Sequence, residues 1–279
     1  MGISKKVEDR ISTQLKRYQA VLVDAKNRDI SESDTVVIIV DMLSDVLGYK
    51  KYTEITTEHS VRGTYVDLAV KVGKDVRFLV EAKAIGVSLK DNHVKQAIDY
   101  GANNGIEWVI LTNGLNWQVH KVHFKQPIDH SLVFEMNVLE ENPRAPQVIE
   151  CLGNLSREGF EQSSMTTYYQ QQQITNKFSI AALLLSEPLL VALRREIRRL
   201  SHGVKIDVDE LKGILETEVL KRDVFDGDEA RQAAEYVKKA SRAAERAKAR
   251  AAAQEEKEER AAVPAGTQRP SGSGSGSTG

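Results

Sequence analysis

The sequence predicts an α/β protein in which a mixed-sheet core, in the order helix, three strands, helix, strand (αβββαβ), precedes a helical C-terminal region. Three observations carry this. Segments 52–59, 64–72 and 76–83 have the alternation and residue types of strands. A helical stretch interrupts them at about 88–100, and strand-like segments resume at Trp108. Beyond about residue 145 the strand signals cease, and from Phe178 onwards the sequence reads as helix.

Taken in order, Val7, Ile11, Leu15, Tyr18 and Leu22 recur at steps of four and three, an amphipathic helix within 1–27. A polar break, NRDISES, follows. The next stretch, 33–47, is contested, because five β-branched residues from Val36 to Val40 favour strand. Ser31 with Asp34 as a start, the series Val36, Val40, Leu43, Leu47, and Gly48 as a stop tip the balance to helix. Three strands come next, the second and third joined by a turn at Gly73, Lys74 and Asp75. Ser88 is a candidate cap for a helix ended by Gly101 and the NNG segment. Residues 108–112 read as a short buried strand, Asn113-Gly114 as a hairpin signal into 115–122, and 132–139 as a last strand.

The C-terminal half divides further. Residues 141–177, with four glutamines at 170–173, read as a polar linker, and 178–228 as a helical subdomain with an apolar seam of Leu190, Leu193, Ile197 and Leu200. Residues 229–260 are alanine-rich and charged, a solvated helix, and 261–279 a disordered tail.

The 279 residues, 41% of them hydrophobic, suffice for one sizeable core with appended helices. One cysteine excludes an intramolecular disulfide and a Cys-rich zinc site. No apolar stretch follows the N-terminal lysines and no apolar run is long enough to cross a bilayer, so the expectation is a soluble, cytoplasmic protein without membrane contact. With a formal net charge of −1 there is no global field to attract a polyanion. Nucleic-acid contact must therefore rest on local basic patches.

The chemistry concentrates in residues 65–83. Alternation puts Val66, Leu68, Val70 and Val72 on one face of the first strand and Asp67 on the other. In the second strand Glu81 and Lys83 lie opposite Val76, Phe78, Val80 and Ala82. A three-residue loop at 73–75 pairs Val72 with Val76 and sets Asp67 across from Glu81, about 5 Å apart at Cβ. Facing carboxylates repel, and a hard divalent cation with oxygen ligands compensates them, with Lys83 adding positive charge on the same face. Such a group can activate water against a phosphodiester.

Asp67 followed by Glu81-Ala82-Lys83 resembles the D…E-x-K signature of the PD-(D/E)XK nucleases, and more specifically the N-terminal nuclease domain of type I restriction enzyme R subunits. Gln96 and Tyr100 at i and i+4 on the next helix, and Glu32 on the helix SESDTVVIIVDMLSDVLGY, fit the same pattern, over roughly residues 28–125. The resemblance implies a restriction-endonuclease-like core at 28–140 in which Asp67, Glu81 and the Ala82 carbonyl hold Mg2+ or Mn2+. It implies further that Lys83 orients or activates water, Glu32 assists, and Gln96 and Tyr100 contact substrate or order the site. The chain lacks a G-x-x-x-x-G-K-[ST] phosphate loop and is short for a motor, so ATP-coupled translocation is not expected of it.

Plainer readings stand beside these. Charges on a solvated sheet face are common, although Ala69 and Leu79 on that face suggest partial burial. His120 and His123, at i and i+3 of a strand, point to opposite faces and make a poor metal pair. Arg194, Arg195, Arg198 and Arg199 are either a solvated helix flank or a phosphate-contacting patch. The expected activity is magnesium-dependent cleavage of DNA, alone or with a specificity or motor subunit. The alternative is a nuclease-fold module that binds nucleic acid or protein without cutting, and a third reading makes the C-terminal helices a homo-oligomerisation unit.

Overall fold

Helical spacing in the first 27 residues is realised as α1 (Lys5–Asn27), which buries Val7, Ile11, Leu15, Tyr18, Leu22 and Ala25 along one face. This is a computed structural model, and it describes residues 3–61, 64–124, 126–201, 203 and 205–262. The β-branched run is helical after all. In α2 (Glu32–Asp45), Ser31 Oγ accepts the Asp34 N–H at 3.2 Å, and Gly48 leaves the helix at φ +85°. The cap and the burial of Ile39, Val40 and Leu43 outweigh strand propensity.

The sheet strands are β1 (Ile55–Val61), β2 (Thr64–Val72), β3 (Asp75–Ala82), β4 (Trp108–Thr112), β5 (Asn116–His123) and β6 (Asp129–Asn137), side by side in chain order. All neighbours are antiparallel except β3 and β4, which run parallel. The crossover between these two contains α3 (Asp91–Asn104). The described chain is therefore a mixed α/β protein with two opening helices, three strands, a helix and three strands, so that β5 and β6 extend the sheet beyond the αβββαβ order.

Two corrections concern the β2–β3 hairpin. Its loop has two residues, Gly73 and Lys74, with Val72 paired to Asp75 and Gly73 at φ +67°. A bulge between Val70 and Lys71 then inserts Arg77 as the extra residue and restores the predicted register, so that Leu68 pairs with Val80. The expected facing of Asp67 and Glu81 is the next position along this ladder. The bulge also reverses alternation, and Val76 packs on the opposite face from Phe78 and Val80. Val66 likewise joins the second face.

Each face of the sheet has its own core. Leu68, Val70, Phe78, Val80, Ala82 and Ile110 pack against α1 and α2. On the other face Ala69, Leu79, Val109, Leu111 and Val122 pack against Val94, Ala97, Ile98 and Tyr100 of α3. At roughly 2 kcal/mol for each fully buried aliphatic side chain, this second cluster is a core and not a solvated surface. The helix starts two residues later than Ser88 suggests, after Lys90, whose N–H donates to His93 Nδ1 at 3.3 Å. It runs through Gly101 and stops at Gly105, at φ +71°. A Cβ at Gly101 would lie 3.0 Å from the Ile106 carbonyl, so this glycine serves close packing within the helix.

The segment read as a polar linker is folded. It forms α4 (Pro146–Leu155), α5 (Arg157–Glu161) and α6 (Ser164–Thr175), and Val148, Leu152, Leu155, Phe160 and Met165 complete the first core. Arg10 from α1 clamps α5 through paired bonds to Glu158 at 2.7 and 2.8 Å. The chain divides into two compact units at Gln170/Gln171. The second contains α7 (Lys177–Leu184), α8 (Glu187–Leu200), α9 (Val208–Ile214) and α10 (Asp228–Ala262). Within it, α10 is not wholly solvated: Ala230, Ala233 and Val237 are buried, and α10 packs on α7. Residues 263–279, most of the segment read as a tail, lie outside the described residues.

Candidate active site

The parallel pair β3 and β4 ends where its two chains part, and the Lys83 N–H bonded to Thr112 O at 2.8 Å is the last rung between them. Past this point one chain turns into the loop leading to α3 and the other into the turn before β5. The carboxyl ends of parallel strands are where open α/β sheets leave a crevice for ligands. Asp67, Glu81 and Lys83 meet there, beside the second core.

Asp67 Oδ2 accepts the Ala82 N–H at 2.7 Å, which closes the end of the β2–β3 ladder with a side chain. Lys83 Nζ donates to Glu81 Oε1 at 2.7 Å and to Ala82 O at 2.8 Å. Glu81 is buried, 8% exposed, and Lys83 and Asp67 are half-buried. The repulsion expected of facing acids is thus answered by two donors, one on each carboxylate.

Electrostatics ties in a fourth group. Burial pushes the Glu81 carboxyl above its usual range; the Lys83 hydrogen bond opposes this, and the charges of Asp67 and Glu32 reinforce it. For Lys83 burial works against the charge, but the bond to Glu81 and the charges of Glu81, Glu32 and Asp67 hold it above its ordinary value. The charges of three carboxylates act on one ammonium, which therefore stays protonated. Glu32, exposed at the first position of α2, is within electrostatic reach of both partners although 49 residues separate it from Glu81 in the chain.

Of the remaining sequence-predicted residues, Tyr100 is buried in the second core and Gln96 is exposed one turn earlier on α3. Burial raises the Tyr100 hydroxyl. Arg194, Arg195, Arg198 and Arg199 lie on α8 in the second unit. Two of them are already engaged, Arg199 with Glu196 and Arg198 with Ile206 O at 3.3 Å. His120 and His123 do point to opposite faces: His123 Nε2 is 3.0 Å from Ser131 Oγ, whereas the His120 ring lies 5.2 Å from that of His130.

Among the described residues no group of three or more His, Cys, Asp or Glu side chains is arranged around a common metal position. The donor set named from the sequence is smaller: Asp67, Glu81 and the Ala82 carbonyl. Its chemistry fits a divalent cation, since Glu81 and the Ala82 carbonyl already share one cationic centre, the Lys83 ammonium. Magnesium accepts such a set because it keeps several waters and takes oxygens from phosphate.

With this arrangement established, the comparison with known families is specific. Residues 31–132 match the family model of the type I restriction enzyme R protein N terminus. The match begins at the Ser31 cap of α2 and ends within β6, so it contains Glu32, Asp67, Glu81, Lys83, Gln96 and Tyr100. It agrees with the resemblance read from the D…E-x-K set and with a PD-(D/E)XK nuclease-like domain. The R-protein match covers 102 of 279 residues, and α4–α10 lie outside it. No curated protein and no solved structure matches the chain.

Sequence reasoning missed the turn that faces this site. Asn113, read only as a hairpin signal, is 2% exposed and makes four side-chain hydrogen bonds. The signal was present in Asn itself, which folds its own backbone two residues on as readily as it tolerates a hairpin turn.

Proposed function

We propose that the chain is a magnesium- or manganese-dependent nuclease that hydrolyses DNA phosphodiester bonds at Asp67, Glu81 and Lys83. The observation that carries this is the convergence of Glu81, the Ala82 carbonyl and Lys83 beside Asp67 at the end of a parallel strand pair, inside the segment that matches the R-protein N terminus. Asp67, Glu81 and the Ala82 carbonyl hold the cation. When bound, it supplies Lewis-acid chemistry at the scissile phosphate and makes water a better nucleophile. Lys83, kept protonated by its carboxylate neighbours, orients water and offsets charge developing on the phosphate oxygens. Glu32 assists from α2, and Gln96 and Tyr100 order the α3 side. The partners of this reading are DNA and a subunit supplying specificity or motor function. A crystal soaked with manganese tests the ligand assignment: density between Asp67 and Glu81 is expected, and density only elsewhere overturns it.

One observation favours a second reading, a nuclease-fold module that binds without cutting: the Lys83 ammonium bonds two of the oxygens assigned to the metal. A gel shift that weakens with salt, in a protein that never cleaves, supports this reading.

A further inference from the structure

The loop after Lys83 is anchored by the Ile85 side chain, buried in the first core, but makes few backbone hydrogen bonds of its own. Its internal backbone bonds are Val87 N–H to Ala84 O at 2.9 Å and His93 N–H to Lys90 O at 2.9 Å. Asn113, at the end of the neighbouring parallel strand, adds two hydrogen bonds to the loop's carbonyls. Its Nδ2 donates to Ile85 O at 3.3 Å and to Val87 O at 2.9 Å. Its Oδ1 accepts the N–H groups of Leu115 at 3.1 Å and Asn116 at 2.8 Å. One buried amide therefore uses its donors on the Lys83 loop and its acceptor on its own turn.

That turn is fixed from the far side. Thr112 Oγ1 accepts the Gly114 N–H at 3.0 Å, and Trp117 Nε1 donates to Gly114 O at 3.0 Å. Gly114, at φ +82°, packs so close that a Cβ would lie 3.4 Å from Leu22 and 3.6 Å from Thr35. Thr35 is the next turn of the helix that begins with Glu32. On the other side Gly86 receives the Asp29 carboxylate, from the loop before the same helix. The start of α2, the turn 113–115 and the loop 84–87 form one packed assembly, and Asn113 is its polar centre.

From this geometry we infer that Asn113 is a positioning residue of the nuclease centre: its side-chain amide fastens the loop following Lys83 and so fixes the ammonium relative to Glu81. The inference rests on the nuclease reading for its catalytic consequence, and on hydrogen bonding alone for its structural one. An active-site group displaced by about 1 Å costs on the order of 100-fold in rate. Asn113 is 2% exposed and out of reach of a bound duplex, so the effect is expected on kcat, with KM near its original value.

The test separates the two halves of the amide. Asn113→Asp keeps the acceptor for Leu115 and Asn116 but replaces both donors with an oxygen facing the Ile85 and Val87 carbonyls. Asn113→Ala removes all four bonds and serves as the disruptive comparison. For full-length Asn113→Asp, unchanged tryptophan emission reports that the turn around Trp117 survives. Amide exchange across 84–90 is expected to rise about tenfold or more, as loss of two hydrogen bonds implies. Plasmid cleavage with magnesium is expected to lose kcat about 100-fold at constant KM. A folded Asn113→Asp protein with wild-type kcat and wild-type exchange overturns the inference. Absence of cleavage by the wild type defeats the nuclease reading instead. Exchange across 84–90 then decides alone whether Asn113 fastens the loop.

Discussion

Lys83 carries the positive charge at the centre of the site, and its two contacts define what its removal does. Without the ammonium, Glu81 is left buried with the charges of Asp67 and Glu32 as neighbours. Lys83→Ala is expected to lower stability in EDTA by roughly 1–3 kcal/mol, the cost of stranding a buried polar group. Magnesium should restore more stability to this variant than it adds to the wild type, because the cation takes over the role of the ammonium. Thermal melts of both proteins with EDTA and with magnesium check this, and equal magnesium shifts would contradict it. Asp67 differs. The bond from Ala82 N–H makes Asp67 part of the ladder, so Asp67→Ala should abolish cleavage and also cost about 1–2 kcal/mol. Repulsion read from the sequence alone argues for a neutral or stabilising change. Denaturant melts in EDTA distinguish the two, and a variant as stable as wild type would show that the Ala82 bond contributes nothing net.

Among the elements, β5 holds the clearest acid-sensitive group. His120 is 5% exposed, neither ring nitrogen has a hydrogen-bond partner among the described residues, and burial, aided by the charge of His130 and opposed by Asp91, lowers its pKa from 6.5 to about 4. A depressed folded-state value means that the unfolded chain binds the proton first. Stability is therefore full above about pH 6.5 and declines as pH falls towards 4. Between pH 7 and pH 5 the loss from this one group is about 2 kcal/mol. His120→Leu should remove that loss, measured as the difference in urea melting between the two pH values. An undiminished loss would assign the acid sensitivity to other groups.

The elements also show which parts of the fold were legible. Strands β2, β3 and β4 and the register at Asp67 follow from period-two alternation, which a buried sheet enforces strongly. The two-residue turn and its compensating bulge return the ladder to the register read from the sequence at the pairing of Leu68 with Val80. By contrast α4–α6 read as a linker because the glutamine run in α6 hides a helix whose described buried residue is Met165. The approach of Glu32 to Glu81, and the packing of Gly114 on Thr35 beside Asn113, depend on tertiary contacts between segments 49 and 79 residues apart, on which local patterning is silent.

For the whole molecule the governing quantity is a net charge of −1. The charges of Asp67, Glu81 and Glu32 repel phosphate, so under the proposed function DNA affinity must come from cations elsewhere. On α8, Arg198 and Arg199 are bonded to Ile206 O and Glu196. Arg194 and Arg195 are accordingly the ones to reverse. Changing both to glutamate should weaken duplex binding on all sequences alike and flatten the salt dependence by about one log unit per lost phosphate contact. Duplex affinity at several salt concentrations measures this, with circular dichroism to confirm helix content. An unchanged slope in the folded variant would leave these arginines as a solvated flank.

Magnesium-dependent cleavage of DNA is the reaction that tests the proposed centre most directly. Purified full-length protein is incubated with supercoiled plasmid in magnesium and in EDTA, alongside Asp67→Ala and Glu81→Ala. Nicked or linear product from the wild type in magnesium alone, and from neither variant, is the predicted result. A wild type that leaves the plasmid intact, or variants that cut as fast as the wild type, would contradict the placement of a nuclease centre at Asp67, Glu81 and Lys83.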